Sequence, residues 1–148
     1  MTATTAATSV QGGSQWVQTG PLSFRRALTT AAERISEVPE LTIPFPGVWE
    51  LTYNVRTACT GGNQKALWVS TWLCKDGVPI EGSEALRGRN GPDNEVVQDT
   101  GGQTVLVALQ AGENVTLHGR YSGEGDAKVL SGGDGRTSVV AHWVSPGF

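Results

Sequence analysis

The sequence predicts an all-β fold, a sandwich or barrel of about eight to ten short strands. Three observations point there. Twenty glycines and seven prolines are spread along 148 residues and punctuate the chain with turns. Val/Thr-rich runs lie between them. From residue 40 onward, apolar and polar residues alternate with period two.

The elements follow in order. Residues 1–13, "MTATTAATSVQGG", show no periodicity and read as a flexible N-terminal arm preceding a domain over 14–148. "SQWVQTGPLSFRRAL" reads as one or two short strands broken at Gly20-Pro21. In "TTAAERISEVPE", Thr30 and Glu33 have capping-box spacing, and Leu28, Ala31, Ile35 and Val38 share one helical face. Pro39 stops that pattern, so one short helical segment is expected near residues 30–38.

"LTIPF" is a short strand closed by Pro46-Gly47. "VWELTYNVRTAC" alternates cleanly, with Trp49, Leu51, Tyr53 and Val55 against Glu50, Thr52, Asn54 and Arg56. "KALWVSTWLCK" differs, being apolar on both faces: Leu67, Val69 and Leu73 on one, Trp68 and Trp72 on the other. Asp76-Gly77 is a tight-turn signal leading into "VPIEG". "SEALRGRNGPDNE" reads as a polar loop, "QTVLVALQ" and "NVTLHGRY" as strands joined by "AGE", and "TSVVAHWV" as the last strand. "SGEGDAK" and "SGGDGR" read as loops flanking "VL".

Composition narrows the function. A chain 38% hydrophobic and 17% charged is an ordered globular protein. A formal charge of −3 without a Lys/Arg stripe leaves no footprint for nucleic acid. No apolar run approaches the ~20 residues of a membrane-spanning helix, and the N-terminus lacks the features of a secretory signal. No membrane partner is expected, and folding in the cytoplasm is. Cys59 and Cys74 each fall at the end of a strand. Successive antiparallel strands of about ten residues place such ends roughly 33 Å apart, whereas bridged Cα atoms lie within about 7 Å. Two free, buried thiols are expected.

No catalyst is visible. His118 and His142 are lone histidines on strands, and no Gly-x-Ser-x-Gly, His-Glu-x-x-His or zinc-spaced Cys-x-x-Cys occurs. Asp126 and Asp134 in glycine-rich loops read as solvated turn residues rather than calcium ligands. No cofactor and no metal are expected.

"FPGVWELTYNV", "LWVSTWLCKDGVPI", "TVLVALQAGENVTLHGR" and "RTSVVAHWV", taken in that order, resemble the jelly roll of complement-type globular heads and tumour necrosis factor-like domains. The resemblance covers roughly residues 40–145, with Glu113 where the family's Leu-x-x-Gly-Asp-x-Val-x-Leu has Asp. It implies a two-sheet antiparallel jelly-roll sandwich that trimerises through the outer side of one sheet. Carried onto this chain, that interface is Glu50, Thr52, Asn54, Arg56, Leu106, Ala108 and Trp143. The family usually places apolar groups there, so Glu50 and Arg56 would need to pair across the interface.

Similar jelly rolls occur in bacteriophage virions. A short acidic chain with an arm and no export signal resembles that group. The expected function is therefore a structural virion protein, a decoration (cement) protein on the outside of a phage head. Its partners would be copies of itself and the major capsid protein, and its location the virion surface. The shell contact is expected at the arm, including Thr2, Thr4 and Thr5, with Trp16 and the Arg25-Arg26 pair; residues 84–95 would form a distal tip. Trp68 and Trp72 are either a further contact patch or are covered by residues 14–28, with Trp16 and Phe24. The alternative function is a tail-fibre tip that recognises a host glycan; the loops "ALRGRNGPDNE" and "GEGDAKVLSGGDG" lack the aromatic residues such a tip would use.

Overall fold

The structure, a computed structural model, describes residues 9–10, 15–61, 65–90 and 95–147. Thirteen strands occur in chain order. The first five are β1 (Ser9–Val10), β2 (Trp16–Gln18), β3 (Ser23–Ala27), β4 (Glu33–Arg34) and β5 (Leu41–Thr42). Then come β6 (Gly47–Gly61), β7 (Leu67–Lys75), β8 (Val78–Pro79) and β9 (Ala85–Arg89). The last four are β10 (Val96–Leu109), β11 (Asn114–Gly123), β12 (Gly125–Gly132) and β13 (Ser138–Ser145).

All pairings are antiparallel and form two sheets. In the first, β2, β13, β6 and β10 lie side by side; in the second, β5, β11, β7 and β9 do. That interleaved order is a jelly-roll sandwich. β6 runs the whole length of the first sheet. β10 covers one of its edges, while β13 and then β12 share the other. Where β13 ends and β12 begins, the Thr137 hydroxyl accepts from Arg56 N at 3.0 Å and donates to Leu130 O at 2.7 Å.

Alternation on β6 sets the core. Trp49 and Leu51 are fully buried, and Tyr53 and Val55 nearly so, facing Leu67, Val69 and Leu73 of β7. Trp49 Nε1 donates to Phe45 O at 3.1 Å. The Tyr53 hydroxyl crosses between the sheets to Ser83 O at 2.6 Å and Thr71 O at 3.0 Å. Burial pushes the ionisation of that hydroxyl up. At the end of β7, Asp76 (φ 48°) and Gly77 (φ 84°) both have positive φ. That is the primed turn a two-residue hairpin needs.

No helix occurs among the described residues. The segment expected to be helical near 30–38 is β4 followed by a turn. Ile35 N donates to Leu117 O at 2.8 Å, and Val38 N to Ile35 O at 3.0 Å. Leu28, Ile35 and Val38 are buried as a helical face would require. Leu28 N donates to Ala127 O of β12 at 2.9 Å and Ile35 lies against β11, so sheet pairing overrides the local pattern. The expected cap, Thr30, is exposed, and it is the Thr29 hydroxyl that accepts from Ala31 N at 3.2 Å.

Two further expectations are corrected. β9 lies within the stretch read as a polar loop, and the end of β11 with β12 takes up most of the first loop read beside Val129-Leu130, whereas residues 133–136 of the second lie outside any strand as expected. The base of the N-terminal arm is also structured, because Ser9 and Val10 pair with Gln18 and Val17. Cys59 and Cys74 are free and buried, and burial pushes both thiols up.

Candidate functional site

The residues singled out in the sequence fall on two opposite outer surfaces. On the first sheet, registry sets them in rows. Leu106, Glu50, His142 and Trp16 make one row across four strands, a width of roughly 14 Å. Thr104, Thr52, Val140 and Gln18 make the next, and Gly102, Asn54 and Ser138 a third. Thr100, Arg56, Leu130 and Arg25 close the face at the far end.

Leu106 is 59% exposed, and Ala108 beside it is exposed too. The other end is polar. The Thr52 and Thr104 hydroxyls lie 3.1 Å apart, and Arg56 donates to Thr100 Oγ1 at 2.8 Å and Gln98 Oε1 at 3.2 Å. Among the described residues Glu50 and Arg56 form no ion pair, and six residues of strand, roughly 20 Å, separate them. A Cβ at Gly102 would fall 1.7 Å from Tyr53 O, so glycine alone allows β10 to run this close to β6.

Two expected members of these surfaces are placed elsewhere. Trp143 stands opposite Trp49, which puts it on the core-facing side of β13. It packs 5.9 Å from Phe45 and donates to Pro46 O at 3.3 Å. Trp143 shares the parity of buried Val139 and Ala141, and the register with β6 is unbroken up to it, so alternation along β13 turns it inward. Arg26 is engaged within the chain, bonding Glu37 at 2.9 Å, Ser36 at 2.9 Å and Glu33 at 3.1 Å. Arg25, its neighbour, is exposed on the outer face. Thr2, Thr4 and Thr5 lie outside the described residues.

On the second sheet, Trp68 and Trp72 face outward, as their parity requires. The described part of the segment expected to cover them, residues 15–28, lies on the other sheet, to which β2 and β3 belong. Each instead lies against a neighbour in the second sheet. Trp68, 46% exposed, lies against Gly88 of β9, where a Cβ would fall 2.3 Å from the indole. Trp72 stacks on His118 with centroids 6.2 Å apart and an interplanar angle of 23°. His118 Nε2 lies 2.9 Å from Thr116 Oγ1, and burial, together with Arg34, pulls its pKa below the ordinary imidazole value.

Beside Trp72 is an open cavity of about 440 Å³ that the sequence reading missed. Ser70 and Arg120 share its floor with Trp72, and the hairpin carrying Pro79, Ile80, Glu81 and Glu84 forms one wall. Arg120 sits two residues from His118 on the polar side of β11, opposite Ser70. That shared parity was the available signal. The expected distal loop over 84–95 is in part β9, with Arg87 paired to Asp99. No group of three or more metal-ligating side chains occurs among the described residues.

No protein-family model matches the chain, and no curated protein matches it. Among solved structures, the Eiger TNF from S. frugiperda aligns over 84% of this chain and 94% of that one, with a TM-score of 0.45 and 8% identity. A likeness at that score and identity carries nothing about activity or partners. The class of protein is defined by the strand order: an antiparallel two-sheet jelly roll.

Proposed function

We propose that the chain is a structural virion protein, a trimeric cement that binds the outside of a phage head and reinforces it. The observation that carries the reading is the outer face of the first sheet. Exposed Leu106, in register with Glu50 and Trp16, and Ala108, two residues further along β10, lie beside rows of threonine and asparagine, on a broad surface suited to packing around a three-fold axis. Across that axis Glu50 and Arg56 would each meet an opposite charge from a neighbour. The base of the arm supports the same picture. β1 pairs with β2 at the edge of this sheet, which puts Ser9 and Val10 at the margin of the proposed interface. The phage setting itself rests on the resemblance of the jelly-roll segments.

Cementing needs no chemistry. Each copy touches several capsid subunits, so its binding stabilises the assembled shell only. Three arms on one trimer add avidity without a new kind of contact. The major capsid protein is the partner, and the virion surface the location after folding in the host cytoplasm. Deleting residues 2–8 leaves β1 in place and tests the mechanism directly. The shortened chain should keep the native mass of the full chain and no longer co-sediment with shells. Unchanged coating of shells would remove the arm from the mechanism.

A further inference from the structure

We infer that the cavity beside Trp72 is a binding site for an uncharged saccharide. Its lining is amphipathic in the way a sugar ring is. The Trp72 indole, with Pro79 and Ile80, offers an apolar surface to the C–H face of a pyranose. Ser70, Glu81, Glu84 and Arg120 surround it with hydroxyl, carboxylate and guanidinium groups. Sugar hydroxyls can donate to the first two kinds and accept from the guanidinium.

The charged side chains are not used up by the fold. Among the described residues, none of Glu81, Glu84 and Arg120 forms an ion pair. Two carboxylates against one guanidinium disfavour an anion such as phosphate, and Arg120 disfavours an organic cation. A neutral polyhydroxy ligand satisfies both signs at once. A volume of about 440 Å³ falls within the range of roughly 300–1,000 Å³ found for small-molecule sites. The indole is held from behind by its stack on His118, which limits the ordering that binding would require. This inference does not depend on the cement reading, because the cavity opens on the sheet opposite the proposed trimer face.

The test is saturation-transfer NMR on the full chain, titrating cellobiose, maltose, lactose and chitobiose, with choline and inorganic phosphate as charged probes. At least one disaccharide should bind saturably with a Kd near ~1 mM. Arg120→Met and Glu84→Gln, both at exposed positions, should each weaken it about tenfold with the unfolding midpoint unchanged. Trp68→Ala, outside the cavity, should leave the affinity as it is. Saturation by none of the four sugars would overturn the inference. So would equal affinity in the Arg120→Met protein, or binding of choline or phosphate in place of sugar.

Discussion

The two outer faces of the sandwich are made by the same device, strand alternation around one core, and they end up unlike. On the first sheet, Leu106 and Ala108 project from β10 and are exposed among the described residues. On the second, the two large aromatic residues are each met by a neighbouring strand, Trp68 by Gly88 of β9 and Trp72 by His118 of β11, while Leu86 of β9 stays 58% exposed. Parity decides which side chains leave the core. What they meet there depends on strands distant in sequence, and the proposed function takes the face around Leu106 as the one that assembles.

The largest way to break this comparison is to remove the core both faces share. Trp49→Ala should cost about 3–5 kcal/mol in urea unfolding. A loss below about 1 kcal/mol would mean that the two sides of β6 are assigned the wrong way round. Tyr53→Phe is milder. It removes the hydroxyl that joins the sheets and leaves Ser83 O and Thr71 O without that donor, at a cost of about 1–3 kcal/mol by the same measurement.

Gly88→Ala sharpens the comparison instead. The new methyl would occupy space held by the Trp68 indole, so the ring should lift off β9. The second sheet would then expose an apolar patch like the first. A stability loss of about 1 kcal/mol and a red shift of tryptophan emission are expected.

The smallest effect is a pH slope on the second face alone. The pKa of His118 is depressed in the fold, so the unfolded chain binds the proton more readily. Its contribution to stability is fully present above the unfolded value near 6.5 and declines as pH falls below it, down to the folded pKa. His118→Gln should flatten that part of the stability–pH curve; an unchanged slope would assign it to other groups.

Much of the fold was legible in the sequence because β6 and β7 state their faces locally. Trp49, Leu51, Tyr53 and Val55 are spaced two apart, and Asp76-Gly77 demands a primed turn. The failures share a cause. Leu28, Ile35 and Val38 have helical spacing, but β12 bonds Leu28 and β11 bonds Ile35, and these distant partners make the segment extended. β12 was hidden because Gly125 and Gly132 frame a strand whose inward residues, Ala127, Val129 and Ser131, are too small to read as a core face. Trp143 was assigned to the wrong side because β13 is apolar on both parities, Val139 and Ala141 on one and Val140 and Val144 on the other, so spacing alone did not say which faced the core.

Of the candidate site, the outward set on β6 and β10 followed from parity alone. The cavity did not. It needs Arg120, Trp72 and the 79–84 hairpin together, and their meeting depends on pairings between distant segments of the chain.

The central claim is that the bare face of the first sheet assembles the protein. Sedimentation equilibrium of the full chain beside Leu106→Asp tests it most directly. The account predicts a mass near three times 15.6 kDa for the full chain and 15.6 kDa for the variant, both folded. A monomeric full chain, or a trimer untouched by an aspartate at position 106, would contradict it.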